Sequence, residues 1–255
     1  MAILGAWWLT LGREAANQRL LGLTCVLAFL TLLLLQGKSY YIGPIFPVLF
    51  AAGAVRLERM QLGVWGRVVR WGIVTVLAIY LVVLLPLGVP VLGPRAMEQY
   101  LVNMGMQSVA TTNVGEEGRI PQDYADMLYW EEMTQVVADV HHGLPPEDRK
   151  KTVILASNYG EAGAIEFYGP RYDLPRPVAF VGSYWHFGPG ELPGDVLILV
   201  GHELDDWEGF FESVEPVAVV GHPYAVEEQR AVAIVVARNP EQTLQELWPS
   251  LEGMH

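Results

Sequence analysis

The chain has 255 residues, 52% of them apolar, one cysteine and a formal net charge of −12. That charge averages two unlike parts: residues 1–93 hold seven basic and two acidic residues, residues 94–255 nine basic and 26 acidic. So acidic a second part excludes a nucleic-acid partner, whose phosphates need a basic surface. It also speaks against docking of that part on anionic lipid.

In chain order, the first apolar run is 3–12 (ILGAWWLTLG), about half a membrane span. It lacks the basic n-region and small-residue cleavage site of a signal peptide. The expectation is an interfacial helix anchored by its Trp pair, or the last turns of a longer helix. Three longer runs follow, at 20–36, 41–55 and 71–93. The first and third are long enough to cross a bilayer; the second is short and contains Pro44 and Pro47. Flanking charge argues that it crosses too. Arg13 and Arg19 precede the first run, and Arg56, Arg59, Arg67 and Arg70 follow the second, whereas the loop between them carries only Lys38. Three crossings place six positive residues on the cytoplasmic side and one outside, as the positive-inside rule demands. The acidic part then emerges outside. Cys25, inside the first span, reads as a small apolar side chain, and with no second cysteine no intramolecular disulfide is possible.

From residue 94 the pattern becomes that of a globular domain. Apolar spacing predicts an amphipathic helix over 123–141, closed by the Gly143-Leu-Pro-Pro segment. Strands are expected at 153–156, 177–181, 196–200, 216–220 and 231–237, and helices at 161–168, 205–214 and 240–251. Five apolar strands without strict alternation imply a sheet covered on both faces. The expected fold is therefore an α-helical membrane region followed by a three-layer α/β domain outside the cytoplasm.

Four groups of residues invite a chemical reading. Asn158, Tyr159 and Glu161 lie where a strand ends and a helix begins, a favoured place for ligands in α/β sheets. The spacing of Asn158 and Glu161 is also that of a capping box. Tyr184 and Trp185 lie in an aromatic loop, suited either to stacking on a sugar or to an apolar cluster under the loop. His202-Glu203 starts like a zinc-protease helix, but Asp206 stands where the second histidine would be, and His141-His142 reads as a cationic helix end. No metal or cofactor is expected. Lys38, Tyr40 and Tyr41 sit at the outer mouth of two spans, placed either to meet a lipid phosphate or to anchor the helices at the interface.

Several segments carry a resemblance. GKSYYIGP (37–44), Pro47 and AAGA (51–54) look like a late transmembrane segment of bacterial glycosyltransferase family 39 proteins, relatives of protein O-mannosyltransferases and aminoarabinose transferases. PQDYADM (121–127), WEEM (130–133), NYGEAGA (158–164), GPRY (169–172) and SYW (183–185) resemble the C-terminal domain of that group. The resemblance implies an inner-membrane protein with a periplasmic C-terminal domain that uses a polyprenyl-phosphate sugar. It implies about a dozen helices in the whole enzyme and a catalytic acid in the first outer loop. On that reading this chain opens within a helix, lacks the catalytic acid and is inactive alone, and Lys38, Tyr40 and Tyr41 approach the donor phosphate. Asn158, Tyr159, Glu161, Tyr184 and Trp185 are the glycan or acceptor contacts. The alternative is a membrane-anchored module that binds glycans or protein partners outside the cell.

Overall fold

The computed structural model describes residues 1–37, 39–60, 63–112, 115–204, 207 and 209–252. They form two compact units, Met1–Leu85 and Pro86–His255.

In unit 1, helix α1 (Ala2–Leu11) leads through a 3₁₀ segment (Arg13–Gln18) into α2 (Arg19–Leu34). A 3₁₀ turn (Ser39–Ile42) precedes α3 (Ile45–Arg59), and α4 runs over Gly63–Gly88. Pro44 and Pro47 fall at the cap and first turn of α3, where the helix needs no backbone donor. Helices α1 and α3 meet backbone to backbone: a Cβ on Gly5 would strike the Leu49 carbonyl, and one on Gly53 the Met1 carbonyl. A Cβ on Gly22 of α2 would lie 2.6 Å from the Leu9 Cβ. Glycines permit this approach, as in membrane helix pairs. The 3–12 run is thus wedged against its neighbours, with Trp8 and Leu9 buried among Ala15 and Ala52.

Most other described apolar side chains of unit 1 are exposed, an apolar surface of the kind that marks protein or membrane interfaces. Two helical stretches, Arg13–Leu34 and Trp65–Gly88, are long and apolar enough to cross a membrane. Helix α3, at 15 residues, is shorter than the roughly 17 a span needs.

Unit 2 opens with α5 (Pro94–Met104) and a short α6 (Gln122–Ala125) before α7 (Trp130–Gly143). The single helix expected over 123–141 is therefore two, because Tyr129 takes a left-handed conformation (φ 70°) between them. After α8 (Pro146–Arg149), strand β1 (Thr152–Ala156) leads into α9 (Tyr159–Tyr168). Strands β2 (Val196–Val200), β3 (Phe211–Val220) and β4 (Val232–Pro240) follow, and α10 (Leu244–Leu247) continues into a 3₁₀ turn, Trp248–Leu251.

The sheet order is β1-β2-β4-β3, with β1 and β2 parallel and the other pairs antiparallel. Every residue of β1 and β2 is buried, as their unbroken aliphatic runs require. Ile154, Ile198 and Ile234 face Met133 and Val137 of α7 and Ile165 of α9. Leu155, Leu199 and Val235 face Trp207, Leu244, Trp248 and Leu251 on the opposite side.

Three sequence expectations need correction. Residues 177–181 give one isolated parallel bridge, Val178 to Leu155, rather than a strand. The helix expected over 205–214 is absent where the structure describes that stretch. Instead Phe211 pairs with Pro240 and Val214 with Ala237, so cross-strand pairing with β4 wins over a weak helical spacing. The terminal helix starts only at Leu244, where Thr243 and Glu246 form a capping box, and Pro240 belongs to β4.

Candidate ligand cleft at the strand ends

Because β1 and β2 are parallel, their C-terminal ends open on the same edge of the sheet. The Ser157 amide, just past β1, donates 2.9 Å to the Val200 carbonyl and ties the two ends together. Asn158 caps α9, its Oδ1 accepting from the amides of Gly160 (2.9 Å) and Glu161 (3.0 Å). The reciprocal half of the capping box is shifted by one residue: Glu161 accepts from the Ser157 amide (3.1 Å) and hydroxyl (2.9 Å).

Glu161 is 3% exposed. Burial raises its pKa to about 7, against the opposing hydrogen bonds from Ser157 and Asn158. Its carboxylate lies against Gly201, at the end of β2. A Cβ there would collide with Glu161 Oε1 and fall 2.7 Å from both Oε2 and Ser157 Oγ, and the φ of +72° also favours glycine. One carboxyl group thus joins the ends of two strands to the start of a helix.

A cleft of about 890 Å³ opens over this junction. Its described lining includes Glu116, Asp126, Glu203 and Glu228 as well as Glu161, and contains no lysine or arginine. Trp130 leans over the start of α9, its Cη2 placed 2.9 Å from where a Gly160 Cβ would be, and Tyr159 is exposed at the cleft. Burial, then the Asp123 charge, raises the Asp126 pKa. Such a lining offers hydrogen-bonding carboxylates, amides and a hydroxyl beside an indole and a phenol. It repels anions and suits polyhydroxylated or cationic groups.

His202 separates this cleft from a second, of about 560 Å³, lined by Phe180, Trp207 and Phe210 among others. Its ring lies 5.3 Å from Trp207 and 5.7 Å from Phe180, and its buried Nε2 has no partner. Burial lowers its pKa to about 4, against the nearby carbonyls of Ala156 and Leu155. Among the described residues no group of three or more His, Cys, Asp or Glu converges as metal ligands do.

The structure brings Asn158, Tyr159 and Glu161 together in one cleft. Tyr184 and Trp185 do not line it. Tyr184 donates to Glu166 (3.0 Å), and Trp185 exchanges indole-to-carbonyl bonds with Trp248 at 3.4 and 3.2 Å, in the apolar layer beneath the sheet. Tyr40 and Tyr41 stack edge-on at 4.5 Å in unit 1, and Lys38 lies outside the described residues. Glu98 is engaged by Arg119 and the Tyr224 hydroxyl. Ser157 and Gly201 escaped the sequence reading, and Trp130 entered it only as part of the WEEM segment, not as a residue of this cleft. The signal was a repeated pattern, an aliphatic run ending in Ser-Asn and another ending in Gly-His.

Comparison of the chain with protein-family models, with curated proteins and with solved structures found no match.

Proposed function

We propose that this chain serves glycosyl transfer from a polyprenyl-phosphate sugar: unit 1 holds the carrier in the inner membrane, and unit 2 presents the sugar or its acceptor outside. The observation that carries this reading is the cleft. It is built on the NYGEAGA segment (158–164) that resembles glycosyltransferase family 39, and its lining suits a glycan and repels a phosphate. Lys38, Tyr40 and Tyr41 are then the donor-phosphate contacts, and the catalytic carboxylate is supplied elsewhere in the assembled enzyme.

A second reading has an observation of its own. Every described residue that lines the cleft belongs to unit 2, as a membrane-anchored glycan-binding module requires.

The test uses the full chain in lipid nanodiscs with a polyprenyl-phosphate sugar, a neutral polyprenol and free glycans. The expected result is binding of the phosphate-bearing carrier over the polyprenol, weakened by Lys38→Ala with Tyr40→Phe, and no transfer. Glycan binding that Asn158→Ala abolishes, with no carrier preference, would favour the module. Turnover by the chain alone would overturn the assignment of catalysis elsewhere and point to Glu98, Glu116 or Asp123.

A further inference from the structure

The basic end of unit 1 holds a third cavity, of about 460 Å³, between the end of α3 and the start of α4. Its lining includes Glu58, Arg59, Arg67, Arg70 and Trp71. Arg70 donates 2.8 Å to the Glu58 carbonyl, a neutral partner that positions the guanidinium without cancelling its charge. Arg59 is partly engaged, 3.6 Å from Glu14 and over the Trp8 ring at 5.5 Å. Among the described residues, neither Arg67 nor Arg70 has a carboxylate within ion-pair distance. Arg67 and Arg70 are three apart on a helix and so share a face. With Arg59 partnered by Glu14, Arg67 and Arg70 are the two guanidinium groups of the described lining that face no carboxylate partner.

We propose that this cavity binds an anionic phospholipid carrying two phosphodiester charges on one headgroup, of the diphosphatidylglycerol type. Guanidinium forks match phosphate oxygens bidentately, and two phosphates match the two guanidinium groups of Arg67 and Arg70. What selects a lipid over a soluble anion is the surface beside the cavity. Beyond Trp71, α4 leaves Val74, Leu77 and Leu81 uncovered (52%, 53% and 66% exposed), spaced along one helix face where acyl chains would lie. Trp65 and Trp71, 76% and 66% exposed, are the amphipathic rings expected at headgroup level. Basic cavities between membrane helices on the cytoplasmic side recognise such headgroups. The described lining of this site belongs to unit 1 alone; the proposal rests on the membrane placement of that unit and not on glycosyl transfer.

The test is a lipid titration of the delipidated full chain in mild detergent, read by native mass spectrometry. The probes are diphosphatidylglycerol, phosphatidylcholine and inorganic phosphate. Diphosphatidylglycerol should be retained over phosphatidylcholine and resist displacement by millimolar phosphate. The double variant Arg67→Gln/Arg70→Gln should bind it about 30-fold more weakly, each charge contributing roughly fivefold. Arg13→Gln/Arg19→Gln removes the same charge near the same end but outside the cavity, and should change affinity by less than about threefold. Equal weakening by both pairs would reveal diffuse surface charge and overturn the site, as would an absent lipid preference. Displacement by phosphate alone would identify a soluble anion instead and overturn the lipid assignment. Arg67→Lys/Arg70→Lys keeps the charge and loses only the forks. It should fold as the parent does and bind roughly fivefold more weakly, and an unchanged affinity would sink the bidentate geometry.

Discussion

Strand β2 reads Val-Leu-Ile-Leu-Val and all of it is buried, while the stretch from Val76 to Val83 in α4 uses the same kinds of residue and leaves nearly all of them exposed. In unit 2, aliphatic side chains are hidden between helical layers, and most carboxylates face outward, Glu161 being buried. In unit 1, Gly5, Gly22 and Gly53 let the helices approach around a small cluster at Trp8 and Leu9, and most other aliphatic side chains are exposed. The difference teaches that hydrophobicity holds the two units in different ways. Unit 2 gains free energy by removing apolar area from water, about 25 cal/mol per Å². The helices of unit 1 gain little that way where the surroundings are themselves apolar, and depend on close backbone approach.

The sharpest way to break this contrast is to open a hole in the core of unit 2. Ile234 of β4 is fully buried and paired to Val200 on one side and Ala218 on the other. Ile234→Ala should cost about 4 kcal/mol. Denaturant titration of the full chain should show the transition of unit 2 moving while the helical signal of unit 1 stays. A joint shift of both would mean that the units are stabilised together, and the comparison would fail.

Next in size is a pair of opposed pH effects at the cleft. Glu161 has an ordinary pKa of 4.5 and a folded value of about 7, so between those values the folded chain holds a proton that the unfolded one has released. Its contribution to stability therefore falls as pH rises from 4.5 to 7, by roughly 3 kcal/mol in all. His202 has an ordinary pKa of 6.5 and a folded value of about 4. The unfolded chain holds the extra proton here, so this contribution rises with pH over 4–6.5 by a similar amount. The two nearly cancel between pH 4.5 and 6.5. Relative to the parent, Glu161→Gln should unmask a stability that climbs with pH in that window, and His202→Gln one that declines. Melting curves at pH 4.5, 5.5 and 6.5 decide it, and parallel profiles in all three proteins would refute the burial assigned to these groups.

How much of this was legible in the sequence follows the same physics. Residues 152–156 and 196–200 announce themselves because a strand buried on both faces needs an unbroken aliphatic run. The junction at Asn158 and Glu161 is legible because helix capping is local, within four residues. Gly201 is not, since its contact with Glu161 depends on the parallel register of Ala156 with Val200, which no local pattern encodes. The 205–214 stretch misleads for a related reason. Phe211 and Val214 have helical spacing, but their partners, Pro240 and Ala237, lie in a distant segment. The bonds of Tyr184 to Glu166 and of Trp185 to Trp248 are likewise hidden from a local reading, since both partners lie in other segments.

The smallest expected effect tests the surroundings of unit 1 most directly. Leu77, midway along α4, is 53% exposed, and none of the most apolar window of that helix is buried. Were this face packed on protein, Leu77→Ala would open a cavity and cost about 3 kcal/mol, as core leucines do. Facing lipid, it loses only the difference in insertion free energy between two apolar side chains, below about 0.6 kcal/mol. Unfolding of the full chain in nanodiscs should thus leave the midpoint of unit 1 within error of the parent. A loss of several kcal/mol would show that α4 is covered by protein, a further segment or a second copy. The exposed aliphatic face would then be an interface, and the lipid-facing half of the comparison would have to be given up.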